Sequence, residues 1–146
     1  MWRTIIMCIV LFAIGFVSDL TMQLIKNSFP RVALFDPYWQ YYTPFPAAII
    51  AGIITLVFGG LFLLMSIAIY KGLKLETKSL SFFLFSVSLA VVLGVILDVL
   101  TNYNNWLGYP LRKWYDTMGA TDASLWSGAL TFLFVSILAT TVYIQI

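Results

Sequence analysis

Two aspartates, Asp19 and Asp98, fall inside long apolar runs, and a third, Asp122, stands at the entry to another. A charge at the middle of a bilayer costs about 2.5–3.5 kcal/mol on insertion scales, so such residues face a bundle interior, a partner or water. Thr101 and Asn102 follow Asp98 on the same helix face, and Gln23 lies one turn beyond Asp19, close enough to bond to it. Asp19, Gln23, Asp98, Thr101, Asn102 and Asp122 therefore form a candidate intramembrane polar cluster. Two readings of it stand side by side: a packing seam whose carboxylates are satisfied structurally, and a proton- or cation-binding site. Asp19, only about four residues from the end of its run, has a third option, which is to snorkel into the interface.

Other chemistries find little to work with. The chain has no histidine, which removes the commonest metal ligand and the commonest general base together. A hydroxyl nucleophile would need a carboxylate or lysine base instead. Paired membrane aspartates suggest an intramembrane aspartyl protease, yet Asp19 and Asp98 sit in SDL and LDV, without the tyrosine and glycine flanks of that family. Zinc and haem lack ligands, and no glycine loop is built to cradle phosphate. Cys8 is single, so it has no intrachain partner. The expectation is a protein that is not an enzyme and takes no metal and no cofactor.

The elements that must position the aspartates are set by composition. Of 146 residues 62% are hydrophobic and 10% charged, against roughly half and a quarter in soluble domains. The net charge of +2 is too small a bias for nucleic acid. Four runs, about 4–25, 46–70, 80–103 and 123–145, are each long enough to cross a hydrocarbon core as a helix. Arg3 ahead of an apolar stretch holding Ala13 and Gly15 also fits a cleavable signal, but apolar character resumes at Leu24 and Ile25, so a retained first helix is expected. The fold expected is an all-α integral membrane protein, a four-helix bundle forming one domain over residues 1–146.

Four crossings put both termini and the short 71–79 loop on one side. Lys71, Lys74 and Lys78 in that loop favour the cytoplasm. The two long loops on the other side combine proline, asparagine and aspartate with aromatics. Tyr38, Trp39, Tyr41, Tyr42, Trp106, Trp114 and Tyr115, with Trp126 at the start of the fourth helix, suit the membrane-water boundary. They read as an interfacial belt or as a surface for a partner. Pro37, Pro44 and Pro46 set the entry into the second helix, and Gly108 and Pro110 mark a turn.

Small residues recur at helical spacing in the later runs. Ala48, Gly52, Thr55 and Gly59 share one side of the second helix. Ser86, Ala90 and Gly94 lead to Asp98 in the third, and Ser124, Gly128, Thr131 and Ala139 mark the fourth. Such stripes let helix backbones approach closely, so they are expected packing faces. The first helix instead carries Gly15, Ser18, Asp19, Met22, Gln23 and Lys26 on one broad face.

Asp19, Asp98 before Thr101 and Asn102, and Asp122 before Trp126 and Gly128 together resemble a family of small four-helix membrane proteins of unknown function, found in bacteria and in large DNA viruses. The spacing departs from that pattern at two places, in LDVLTN and in DASLWSG. The resemblance implies a fold and a shared polar cluster, and no established activity. The function expected is a membrane component of a larger assembly, an organellar complex subunit or a virion inner-membrane protein. The alternative is a small proton- or cation-handling channel or transporter working as an oligomer. Its partners would be the lipid bilayer, other membrane proteins or further copies of itself.

Overall fold

The computed structural model describes residues 2–24, 44–104 and 120–146. Helix α1 spans Trp2–Leu24 and α2 spans Pro44–Ile54. A π-helical turn over Thr55–Gly59 follows, continued without a break by α3, Gly60–Gly72. Helix α4 spans Leu80–Asn104 and α5 spans Ala120–Gln145. Four helical stretches are long and apolar enough to cross a membrane, and no strand occurs among the described residues. The fold is thus an all-α bundle of an integral, multi-pass membrane protein. The helix ends fall within a few residues of those read from the apolar runs, because loss of apolar side chains and loss of the need for internal backbone bonding coincide at the interface.

Polarity is arranged for lipid. Outward positions carry large apolar side chains, among them Ile9, Val17, Leu64, Leu84, Val92 and Phe134. Inward positions recur about once per turn: Met7, Leu11, Gly15 and Asp19 on α1, and Phe82, Ser86, Ala90 and Gly94 on α4. Helix α5 buries adjacent pairs, Thr131 with Phe132, Val135 with Ser136 and Ala139 with Thr140, since it meets neighbours on two sides. Lipid tails are as apolar as leucine, so contact quality and hydrogen bonds, not water exclusion, hold such helices together.

Two helix pairs dominate, α4 with α5 and α1 with α2. In the first, a β-carbon built on Gly94 would run into Phe132, so this glycine sets how closely the two backbones lie. In the second, one built on Gly15 would lie 2.6 Å from the Ala51 carbonyl oxygen, and one on Gly52 would lie 2.7 Å from the Phe12 ring. The π turn then meets α5 as well as α1, with Gly59 facing Leu11 and Val135. At the end of the bundle that carries the short loop, the Tyr70 ring centroid lies 5.1 Å from those of both Phe82, edge-on, and Phe85, tilted, and Phe82 lies 5.5 Å from Tyr143.

The short loop is built from two caps. The Leu75 amide donates to the Tyr70 carbonyl at 2.9 Å and the Lys74 amide to that of Lys71 at 3.0 Å, the paired bonds that close a helix through a left-handed residue. That residue is Lys74, at φ 56°. Ser79 then caps α4, its hydroxyl accepting from the Phe82 amide at 3.2 Å and donating to the Glu76 carbonyl at 2.9 Å. A side chain at left-handed φ is strained by about 1 kcal/mol relative to glycine. Lys74→Gly is therefore expected to raise thermal stability by up to about 1 kcal/mol; a lowered melting temperature in detergent would mean that the loop does not close this way.

Candidate functional site: buried hydroxyls and Asp19

Helix α1 brings Asp19 to the bundle interior because it continues the row Met7, Leu11, Gly15 at four-residue spacing. Its side chain is 1% exposed and it is not without a partner. A carboxylate turned inward does not snorkel, which leaves the structural and the ion-binding readings of this residue. The cause lies one turn earlier: Gly15 draws α1 against the α2 backbone, and the residue four positions on must face the same way.

Gly15 also faces the Thr55 side chain, at the first residue of the π turn. Thr55 is 3% exposed, and its hydroxyl has no hydrogen-bond partner among the described residues. A helical threonine ordinarily returns its proton to a carbonyl one turn back. Here a π turn over Thr55–Gly59 begins at the threonine itself, and the Gly60 amide that follows it bonds to the Leu56 and Val57 carbonyls. Thr131 on α5 is likewise buried with its hydroxyl unpartnered among the described residues.

The other buried serine and threonine hydroxyls among the described residues are satisfied. Ser86 and Thr140 bond to one another across α4 and α5 at 3.1 Å. Ser66 donates to the Phe62 carbonyl at 3.0 Å and Ser136 to that of Leu133 at 3.2 Å. Beside the Ser86–Thr140 pair is a cavity of about 10 Å³, bounded also by Gly59, Leu63, Ala90 and Ser136. That is at the lower limit for one water molecule. Buried hydroxyls of this kind can fix helix register through their hydrogen bonds, each worth about 0.6 kcal/mol on average in membranes.

The packing residues read from the sequence occupy interior places: Ala48, Gly52, Gly59, Ser86, Ala90, Gly94 and Gly128 are all buried. The polar cluster is described only in part. Asp19 is placed, whereas the side chains of Gln23, Asp98, Thr101, Asn102 and Asp122 lie outside the described ones. The loop aromatics Tyr38, Trp39, Tyr41, Tyr42, Trp106, Trp114 and Tyr115 lie outside the described residues, as does the Trp126 side chain. Among the described residues, no three His, Cys, Asp or Glu side chains come together as a metal site would require.

Sequence reasoning missed three of the buried hydroxyls, those of Ser66, Ser136 and Thr140. Their signal was present for two of them, since Ser136 and Thr140 are four apart on one face of a membrane-spanning helix. It missed the π turn too, marked only by the adjacent Gly59 and Gly60. No family model matches the chain, and no similar protein is found among curated proteins or among solved structures.

Proposed function

We propose that the chain is a non-enzymatic, multi-pass membrane component of a larger assembly, an organellar complex or a virion's inner membrane, serving as an anchor with an aromatic loop surface. The observation that carries this reading is the filled core among the described residues. The central cavity beside Ser86 and Thr140 measures about 10 Å³, and the described core around it is filled by Phe62, Phe82, Phe132 and small residues packed backbone to backbone. A bundle filled in this way has its surfaces, not its interior, to offer. Both termini and the 71–79 loop belong to the cytoplasmic side, supported by Lys71, Lys74 and Lys78.

A second reading is favoured by one residue. Asp19 is a buried carboxylate in a membrane-crossing helix, and such residues line proton and cation paths in oligomeric transporters. With Asp98 it would carry the ion. One preparation separates the two readings. After extraction in mild detergent, stable foreign subunits are expected. A clean homo-oligomer that moves protons or cations in liposomes, and stops doing so in Asp19→Asn, would replace the first reading with the second. In the same membranes, Lys74→Cys and Gly108→Cys, each in a Cys8→Ser background, are expected to label from opposite sides; labelling of both from one side would remove the four-crossing topology.

A further inference from the structure

We infer that the chain binds an anionic phospholipid in a groove between α1 and α3, an acyl chain lying along the groove and the phosphate held between Arg3 and Lys71. The groove arises from the way the first two helices part. Helix α1 packs along α2 and the π turn but barely touches α3. Past Gly59 the two therefore splay toward the end that carries the amino terminus. The space left is about 460 Å³, walled by Met7, Leu11, Leu56, Gly60, Leu64 and Ile67. That is within the roughly 300–1,000 Å³ of ordinary small-molecule sites. It opens outward, since Val57, Leu61 and Leu64 on its rim are exposed, and in a bilayer whatever enters from that side comes out of lipid.

The polar end of the groove identifies the headgroup. Arg3 and Thr4 line it there, both exposed. The Arg3 guanidinium carbon lies 5.9 Å from the Trp2 ring centroid, a cation–π contact that uses none of its N–H donors and so leaves them for a phosphate. On α3 the residues Gly60, Leu64, Ile67 and Lys71 follow one another at spacings of four, three and four. One helix face thus carries the groove wall up to Lys71, which is exposed one turn beyond Ile67. Lys74 and Lys78 lie in the adjoining loop, where Glu76 is the one described acidic residue. A basic pocket between helix ends at a membrane surface suits an anionic headgroup. The same charges disfavour a second copy as occupant, because a two-fold contact would set Arg3 and Lys71 of one chain against those of the other.

The test is retention of lipid by the full chain, reconstituted in phosphatidylcholine nanodiscs with or without phosphatidylglycerol and then released for native mass spectrometry. One phosphatidylglycerol per chain is expected in preference to phosphatidylcholine. The double variant Arg3→Gln with Lys71→Gln should lose that preference by roughly tenfold or more, from the usual attraction of two cations. Gly60→Phe should abolish retention of both lipids, because a β-carbon there meets only Leu11, at 3.6 Å, and the ring has the groove to fill. Cys8, exposed on the groove wall, gives a second readout that does not depend on any variant. Its maleimide labelling should be slower with phosphatidylglycerol than without. Equal retention of the two lipids, a preference that survives the double variant, or an unchanged Cys8 rate would each overturn the site. So would a dimer that Gly60→Phe splits without loss of lipid, which would make the occupant a second copy.

Discussion

Gly15→Leu is expected to part the first two helices and to remove most of the folded protein. A β-carbon at this position would already lie 2.6 Å from the Ala51 carbonyl oxygen and against the Thr55 side chain. The carbonyl belongs to a helix backbone, so relief requires moving α2 as a body. Overpacking a well-fitted site costs about 1–3 kcal/mol when side chains can give way; with backbone as the obstacle, the upper end of that range or more is expected. The loss would not stop at α1. Asp19 is held inward by the same approach, and a helix pushed outward would take a buried carboxylate toward lipid, where it costs a further few kcal/mol. Melting in detergent, followed by size-exclusion profile, measures the effect. Gly60→Leu is the control, since its β-carbon meets only the Leu11 side chain at ordinary contact distance, 3.6 Å. Equal melting of Gly15→Leu and the parent protein would mean that α1 does not pack on α2 through this face.

Gly15 and Asp19 also mark how far the sequence could be read. The membrane class and the four crossings were legible because long apolar runs leave the backbone no alternative to helix. Packing faces were legible for a related reason: in lipid, small residues are concentrated where helices touch. The direction of Asp19 was not, because its depth in the run allows either an inward or an interfacial pose. What turns it inward is the contact between Gly15 and Ala51, which joins positions far apart in the chain. The widening at Thr55 was equally hidden. It changes hydrogen-bond register without changing hydropathy, and the sequence shows only a glycine pair at its end. The groove beyond it depends on which helices pair tightly and which part, and a single helix's periodicity carries no information about that. At Lys74 ordinary sequence signals pointed elsewhere, because the left-handed position that favours glycine is occupied by lysine two residues after Gly72.

Gly94→Leu should be the second severe substitution, acting through a different helix pair. A β-carbon on Gly94 would collide with the β-carbon and ring of Phe132. Unlike the Ala51 carbonyl, a ring can in principle swing aside, so its surroundings decide the outcome. Phe132 is 2% exposed, its centroid lies 5.1 Å from that of Phe62, and both pack with Ala90 in one cluster. The cavity that adjoins it among the described residues is about 10 Å³, too small for a ring. The ring is therefore fixed, and the strain must be relieved by separating α4 from α5, the most closely packed pair in the bundle. That separation would also lengthen the 3.1 Å Ser86–Thr140 bond two turns away. A loss of about 3 kcal/mol is expected, the top of the overpacking range. Phe132→Ala alone should cost about 3–5 kcal/mol by leaving a cavity. If Gly94 and Phe132 share one space, the two changes must compensate, and Gly94→Leu with Phe132→Ala should melt higher than the sum of the single losses allows, by at least about 1 kcal/mol of coupling. Strict additivity would show that the two residues do not touch, and an unchanged melting profile for Gly94→Leu alone would put this face of α4 against lipid.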